Sequence, residues 1–269
     1  MRVTQRGVCR VCYDRRVLVI SSRYIEVAGL RTHYLDAGEG PPLLFLPPSA
    51  FLLARSYQHV IRGLARRFHV IAPELPGSGN SAPLEQEWGF REYAAWAAGV
   101  LDALVVDRAI VAGHSNGGGV ALVMAAMYPD RVERLVLVDS VGVREQPSPV
   151  RIVGARVLDG LLEMPLNVRA WPDPVHNIVY HSRSFFRQIR DALTADLTRH
   201  APLVSARTLL AWGEWDHTMP VRDARRLLSL LPPRSSIYLA SRGSHDWLVL
   251  KPEEFVGAVF HFCEDQEAR

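Results

Sequence analysis

The sequence predicts an α/β domain, a mostly parallel eight-stranded sheet with helices on both faces and a helical cap inserted into it. Three observations predict this. Short apolar runs alternate with helix-length amphipathic stretches, the pattern of a parallel sheet covered on both sides. The alternation stops between Val143 and Ala206 and then resumes. A Gly-x-Ser-x-Gly sequence, Gly113-His114-Ser115-Asn116-Gly117, joins one apolar run to the helical stretch that follows.

In chain order, Arg23 to Val27 and Leu30 to Leu35 are β-rich and flank Ala28-Gly29, which reads as an antiparallel hairpin. Leu43 to Leu46 is a strand ending at Pro47-Pro48. His69 to Ala72 is another, ending in Pro73 and the turn-rich segment Pro76 to Ser81; a helix over Arg55 to Arg67 lies between them. Phe90, Tyr93, Ala94, Ala97, Val100, Leu101 and Leu104 recur at helical spacing. Strand Ala109 to Ala112, helix Gly118 to Tyr128 and strand Arg134 to Val138 follow. The next segment offers helices at Arg151 to Leu162 and Phe185 to Leu197, and no convincing strand. Strand Thr208 to Ala211, helix Val221 to Leu231, strand Ser236 to Leu239 and a last helix sharing Phe255, Val259 and Phe262 on one face complete the chain. The expected organisation is an irregular leader at 1–22, core at 23–143, cap at 144–206 and core again at 207–269. An insertion at the carboxyl edge of a sheet covers the crevice where ligands bind.

With 48% apolar residues in 269, there is ample material for a buried sheet. No apolar run is long enough for a membrane span. The formal charge of +3 is spread along the chain and is too weak for a nucleic-acid footprint. Arginine supplies nearly all the positive charge, Lys251 being the single lysine, which fits a GC-rich bacterial source. Cys9 and Cys12 form a lone Cys-x-x-Cys without a second ligand pair at zinc spacing, and Cys263 is isolated, so neither a metal site nor an oxidising compartment is implied. The apolar stretch Val17 to Ile20 is too short for a signal-peptide core. A cytoplasmic protein without cofactor is expected, a monomer or homodimer whose partner is a small hydrophobic molecule.

Ser115 is the candidate nucleophile. A serine in a sharp strand-to-helix turn occupies a strained backbone conformation, and close packing around it favours neighbours without Cβ. The turn lifts the hydroxyl above the sheet and aims the first helix amides at the place where an oxyanion develops. A hydroxyl also needs a base, and the base an orienting carboxylate, from loops after later strands in the order Ser, acid, His. Of ten histidines, His33, His59, His69 and His114 precede Ser115; His176, His181 and His200 fall in the cap, and His261 in the last helix. His217 directly follows a candidate acid and reads as a surface loop residue. His245 follows the last strand through a short glycine-containing loop and is the candidate base. Asp216, in Trp212-Gly213-Glu214-Trp215-Asp216, is the candidate acid. Asp139, at the end of the preceding strand, is its competitor. An imidazole base predicts activity that rises with pH through the histidine range, near about 6.5.

Taken together these residues resemble the α/β-hydrolase superfamily, in its cap-bearing serine esterase and carbon–carbon hydrolase branch. The likeness covers Arg23 to Cys263. The hairpin at Arg23 to Gly40 resembles the family's first two strands, and Val70 to Ser81 its fourth-strand exit, with Glu74 where Asp is usual. Gly113 to Gly117 matches the nucleophile elbow and Trp212 to Asp216 the acid loop. Gly243-Ser244-His245, with Lys251-Pro252-Glu253-Glu254-Phe255 downstream, matches the histidine loop and the start of the last helix. One departure stands out. Pro47-Pro48 replaces the usual His-Gly after the third strand, fixing φ and removing two amide donors. Ser49 keeps its N–H in the position of the family's first oxyanion donor, and the Asn116 amide is the second.

The resemblance implies acyl transfer to water on a small hydrophobic ester, lactone or ketone. Carbon–carbon bond cleavage by the same residues, another non-hydrolytic use of them, and a catalytically weak ligand-binding relative with a reshaped oxyanion loop are the alternatives. Phe51-Leu52-Leu53, Trp88, Trp171, Phe185-Phe186, Trp215 and Trp247 are the candidates for an apolar pocket wall. The seryl elbow speaks against a nucleophilic aspartate enzyme.

Overall fold

The computed structural model describes residues 19–48, 50–143, 154–155, 158–161 and 163–264. Its eight strands are β1 (Ile20–Val27), β2 (Leu30–Ala37), β3 (Pro42–Leu46), β4 (His69–Pro73), β5 (Ala109–His114), β6 (Val132–Val138), β7 (Arg207–Gly213) and β8 (Ser236–Ala240). They form one sheet in the order β1-β2-β4-β3-β5-β6-β7-β8. The pairs β1–β2 and β2–β4 are antiparallel and every later pair is parallel. Each expected strand is present. The leader boundary needs correcting, because Ile20 to Ser22 already pair with Leu35 to Ala37.

Strand side chains alternate between two cores, as a period of two requires. Leu44, Val111, Leu135, Leu137 and Leu210 face one side, packed by α2 (Phe90–Ala103), α3 (Asn116–Met127) and α6 (Val221–Leu230). Leu43, Phe45, Ile110, Val136 and Leu209 face the other, packed by α1 (Gln58–Leu64), α7 (Trp247–Leu250) and α8 (Pro252–Glu264). Residues Asn116 to Ala125 of α3 are all buried, so that helix carries no polar stripe.

Between β6 and β7 the described chain is helical and contains no strand: residues 154–155 and 158–161, α4 (Met164–Ala170), α5 (Pro172–Thr194) and a 3-10 segment, Thr198–Leu203. The expected helix at Arg151 to Leu162 falls partly outside the described residues. The expected Phe185 to Leu197 helix is the second half of α5, which kinks at His181 (φ −136°, ψ 34°). No helix among the described residues is long and apolar enough to cross a membrane. The carboxyl ends of β5, β6, β7 and β8 lie in a row beneath this segment, because these strands are sheet neighbours.

Candidate active site

Ser115 stands between β5 and α3 with φ 51° and ψ −116°, a conformation that costs a residue with a Cβ. Three backbone bonds hold it there: its N–H donates to the Val138 carbonyl (2.9 Å), and its carbonyl accepts from Gly119 (3.1 Å) and Val141 (3.2 Å). Both flanking glycines are sterically required. A Cβ on Gly113 would lie 2.2 Å from the Gly117 oxygen, and one on Gly117 would lie 2.1 Å from the Leu46 oxygen.

The acid and histidine loops leave neighbouring strands and are stitched together. Trp215 N–H donates to the Gly243 carbonyl (2.8 Å) and Glu214 N–H to the Ala240 carbonyl (3.0 Å). In consequence His245 Nδ1 donates to Asp216 Oδ2 at 2.8 Å, and Ser115 Oγ donates to His245 Nε2 at 3.1 Å. The tautomer follows from the carboxylate, which can only accept. Asp216 Oδ1 accepts from the Met219 amide at 2.6 Å. Residues 29 and 130 positions from His245 thus meet it in one line.

Asp139 is placed beside this line but not in it. It is fully buried, and its Oδ1 accepts from the Gly213 amide at 2.9 Å. Burial, and after it the charge of the adjacent Asp216, hold its pKa well above the ordinary carboxylate range.

His114 is more than the variable residue of the elbow. A carbonyl can only accept, so its Nε2 donates to the His245 carbonyl (3.0 Å) and its Nδ1 accepts from Tyr57 Oη (2.7 Å). Among the described residues, His114, His245 and Asp246 form the one group whose ligand atoms could converge on a metal. All four ring nitrogens of those histidines already carry hydrogen bonds within the protein, which fits a hydrogen-bonded cluster better than a metal centre.

The cap segment reaches the same loops through buried carboxylates. Asp159 accepts from Thr218 N–H (2.8 Å), Thr218 Oγ1 (2.5 Å) and His217 Nδ1 (2.8 Å), on the two residues after Asp216. Glu163, four positions on, accepts from the amide of Asp246 (2.7 Å), directly after His245. Asp173 accepts from Leu53 N–H (2.9 Å), Arg55 Nε (2.5 Å) and Ser56 Oγ (2.7 Å). Asn177 joins the Ala50 carbonyl (2.8 Å) to the Gly79 amide (2.9 Å). Glu74 orders the loop below, bonding His33 Nδ1 (2.8 Å) and Asn80 N–H (2.7 Å).

A cavity of about 340 Å³ opens on Ser115 and His245. Its wall is mainly apolar: Pro48, Phe51, Leu52, Ile189, Leu193 and Met219 face it, with Asn116 and Asp246 beside Ser115 and His245. No arginine or lysine is among its described lining residues. Of the aromatic wall expected from sequence, only Phe51 lines it. Trp247 is buried in the core beneath, Trp171, Phe186 and Trp215 are exposed, and Trp88 packs on Tyr93. The Asn116 side chain turns away, donating to the Gln188 carbonyl (3.1 Å), while its amide opens α3. Ser49 lies outside the described residues.

The structure brings together Ser115, His245 and Asp216, the three residues singled out from the sequence. The carboxylates at 159, 163 and 173 and the Tyr57–His114 tether were not legible there. Their partners lie 57 to 131 positions away, and no local pattern marks such pairs.

The sheet order, the elbow and the covered crevice define an enzyme class, and comparison with known proteins agrees. Residues 42–159 match the model of the alpha/beta hydrolase fold family. Over 249 residues the chain is 33% identical to a protein of Mycobacterium phage D29 provisionally named a non-heme haloperoxidase, covering 84% of this chain and 88% of that one. The chain belongs to the α/β-hydrolase fold family of enzymes. Over 124 residues it is 40% identical to a 2-hydroxymuconate semialdehyde hydrolase of Pseudomonas sp. strain CF600, in a match taking in 45% of this chain and only 44% of that enzyme. Among solved structures, a bacterial membrane phospholipase A superposes with a TM-score of 0.79 at 26% identity, over 93% of this chain and 87% of the other. Relatives with such different names show why the site, and not the fold, must argue the reaction.

Proposed function

We propose that the protein is a serine hydrolase that transfers the acyl group of a small, uncharged, hydrophobic ester or lactone to water. Ser115 attacks the carbonyl while His245 Nε2 takes its proton, and Asp216 holds the imidazole in the required tautomer. The proton then passes to the leaving alcohol. Water, deprotonated by the same imidazole, releases the acyl group. The developing oxyanion is assigned to the amides of Asn116, at the start of α3, and Ser49; the Ser49 assignment rests on its sequence position alone.

The observation that carries the reading is the unbroken hydrogen-bond line from Asp216 through His245 to Ser115 at the floor of the apolar cavity. The substrate class follows from the wall. With no described cation and with the Asp246 carboxyl beside His245, an anionic substrate would meet desolvation without compensation. The cavity volume suits a short acyl chain or a lactone. Carbon–carbon bond cleavage is the second reading, favoured by the semialdehyde hydrolase match.

The test is labelling with a fluorophosphonate probe, followed by p-nitrophenyl esters of increasing chain length. The reading expects covalent labelling at Ser115 and turnover that falls once the acyl chain outgrows the cavity. An unlabelled wild-type protein would end it. A labelled protein that hydrolyses no ester but cleaves a vinylogous diketone would transfer the assignment to the second reading.

A further inference from the structure

The outer face of the cap has no role in the proposed chemistry, and its composition is unusual for a surface. Leu161, Met164, Val168 and Trp171 are 49–69% exposed and recur at spacings of three and four, from the helical piece before α4, through α4, to the residue that precedes α5. Val175, Val179 and Phe186 continue the series along α5. An exposed apolar stripe of this length marks an interaction surface.

Charge identifies the occupant. In the described residues from 158 to 186, every acidic side chain points inward: Asp159, Glu163 and Asp173 are buried and bonded to the core. The exposed charges there are Arg169 and Arg183. A surface of apolar and aromatic residues whose only exposed charge is arginine matches an anionic lipid headgroup layer. A second copy meeting this face across a two-fold axis would set arginines of one sign against each other. Residues 1–18, with five arginines and one aspartate, carry the same sign and fit it no better.

An aromatic path leads from this face to the cavity. The Phe186 ring is 5.3 Å from that of Phe185, which is 5.5 Å from Phe51, a wall residue. We propose that the outer face of the cap is a docking surface for an anionic lipid bilayer. Bound there, the protein lies on the bilayer without spanning it, with an apolar ridge between lipid and cavity.

The test needs no substrate. Full-length protein is sedimented with sucrose-loaded vesicles of phosphatidylcholine alone, or with about a third phosphatidylglycerol. Binding is expected to be stronger on the anionic vesicles. Arg169→Gln and Arg183→Gln should each weaken it about fivefold there. Val168→Asp with Val179→Asp should weaken binding to both kinds of vesicle by more than tenfold, burial of the apolar face being the larger contribution. Melting temperatures report whether the aspartate variant folds; if it does not, the two arginine variants decide alone. No binding to anionic vesicles, or binding that the folded variants leave unchanged, would overturn the proposal. So would a lipid-free dimer that Val168→Asp with Val179→Asp dissolves, because a second copy would then cover the face.

Discussion

The core and the cap of this molecule are held by different balances of apolar burial and buried hydrogen bonds. The core is a sheet between two apolar layers, with Phe45, Leu137, Trp212 and Phe255 nearly or wholly inaccessible to water. The cap joins both layers through a few apolar residues, Leu166 and Ala170 on one side and Leu197, Ala201 and Val204 on the other, and adds polar pins to them. Asp159, Glu163, Asp173 and Asn177 each spend a buried acceptor on backbone or side-chain donors of the core. Apolar burial is non-directional and tolerates small displacements, whereas a buried carboxylate with three donors fixes position within tenths of an ångström. Through these bonds the cap sets the geometry of the loops that carry Asp216 and His245.

Four substitutions put this contrast to the test. The largest expected effect lies in the core's chemistry: Ser115→Ala should lower ester turnover by about 10⁴-fold or more with the melting temperature nearly unchanged. It is read by steady-state kinetics beside a thermal melt, and a variant retaining full turnover would remove Ser115 from its role. Next, Phe45→Ala should destabilise the whole fold by about 3–5 kcal/mol, measured by urea denaturation as one cooperative transition.

Asp173→Asn should cost about 1.5–3 kcal/mol, through weakened bonds to Leu53, Arg55 and Ser56. Hydrogen exchange should find the lost protection confined to α5 and residues 53–56. Uniform loss across the sheet would mean that the two regions unfold as one.

The smallest effect concerns Asp139. Its folded pKa is raised, so between the unfolded carboxylate value and the folded one the native state binds the extra proton. Stability then falls as pH rises through that window, by at most about 1.4 kcal/mol per pH unit for one proton. Asp139→Asn should flatten this slope while leaving the bond between Asp216 and His245 in place. Urea midpoints at several pH values check it, and an unchanged slope would show that the proton resides elsewhere.

The same contrast explains what could be read in advance. The alternation of apolar runs with helical periodicity spelled out strands buried on both faces, such as β3 and β5, because such burial writes a short-range pattern into each; β1, largely exposed, was legible through its β-rich run and the Ala28-Gly29 turn. At the Pro47-Pro48 departure, the Pro48 carbonyl accepts from the Ala50 amide at 3.0 Å. The cavity wall was less legible. Trp171 and Phe186 were candidates for it but are exposed, because the stripe that packs inward is set by how α5 sits on the core, and Trp215 is exposed in the loop after β7.

By itself the sequence determined the fold class, the elbow at Ser115 and the order in which His245 and Asp216 follow it. Each of these depends on neighbours within a turn or a strand. Three features emerge only when the chain is folded: Asp216 and not Asp139 faces the His245 imidazole, His114 tethers the loop that carries His245, and cap carboxylates grip both loops. The physical reason is that a buried polar group is defined by its partner, and these partners come from elsewhere in the chain at distances no periodicity encodes.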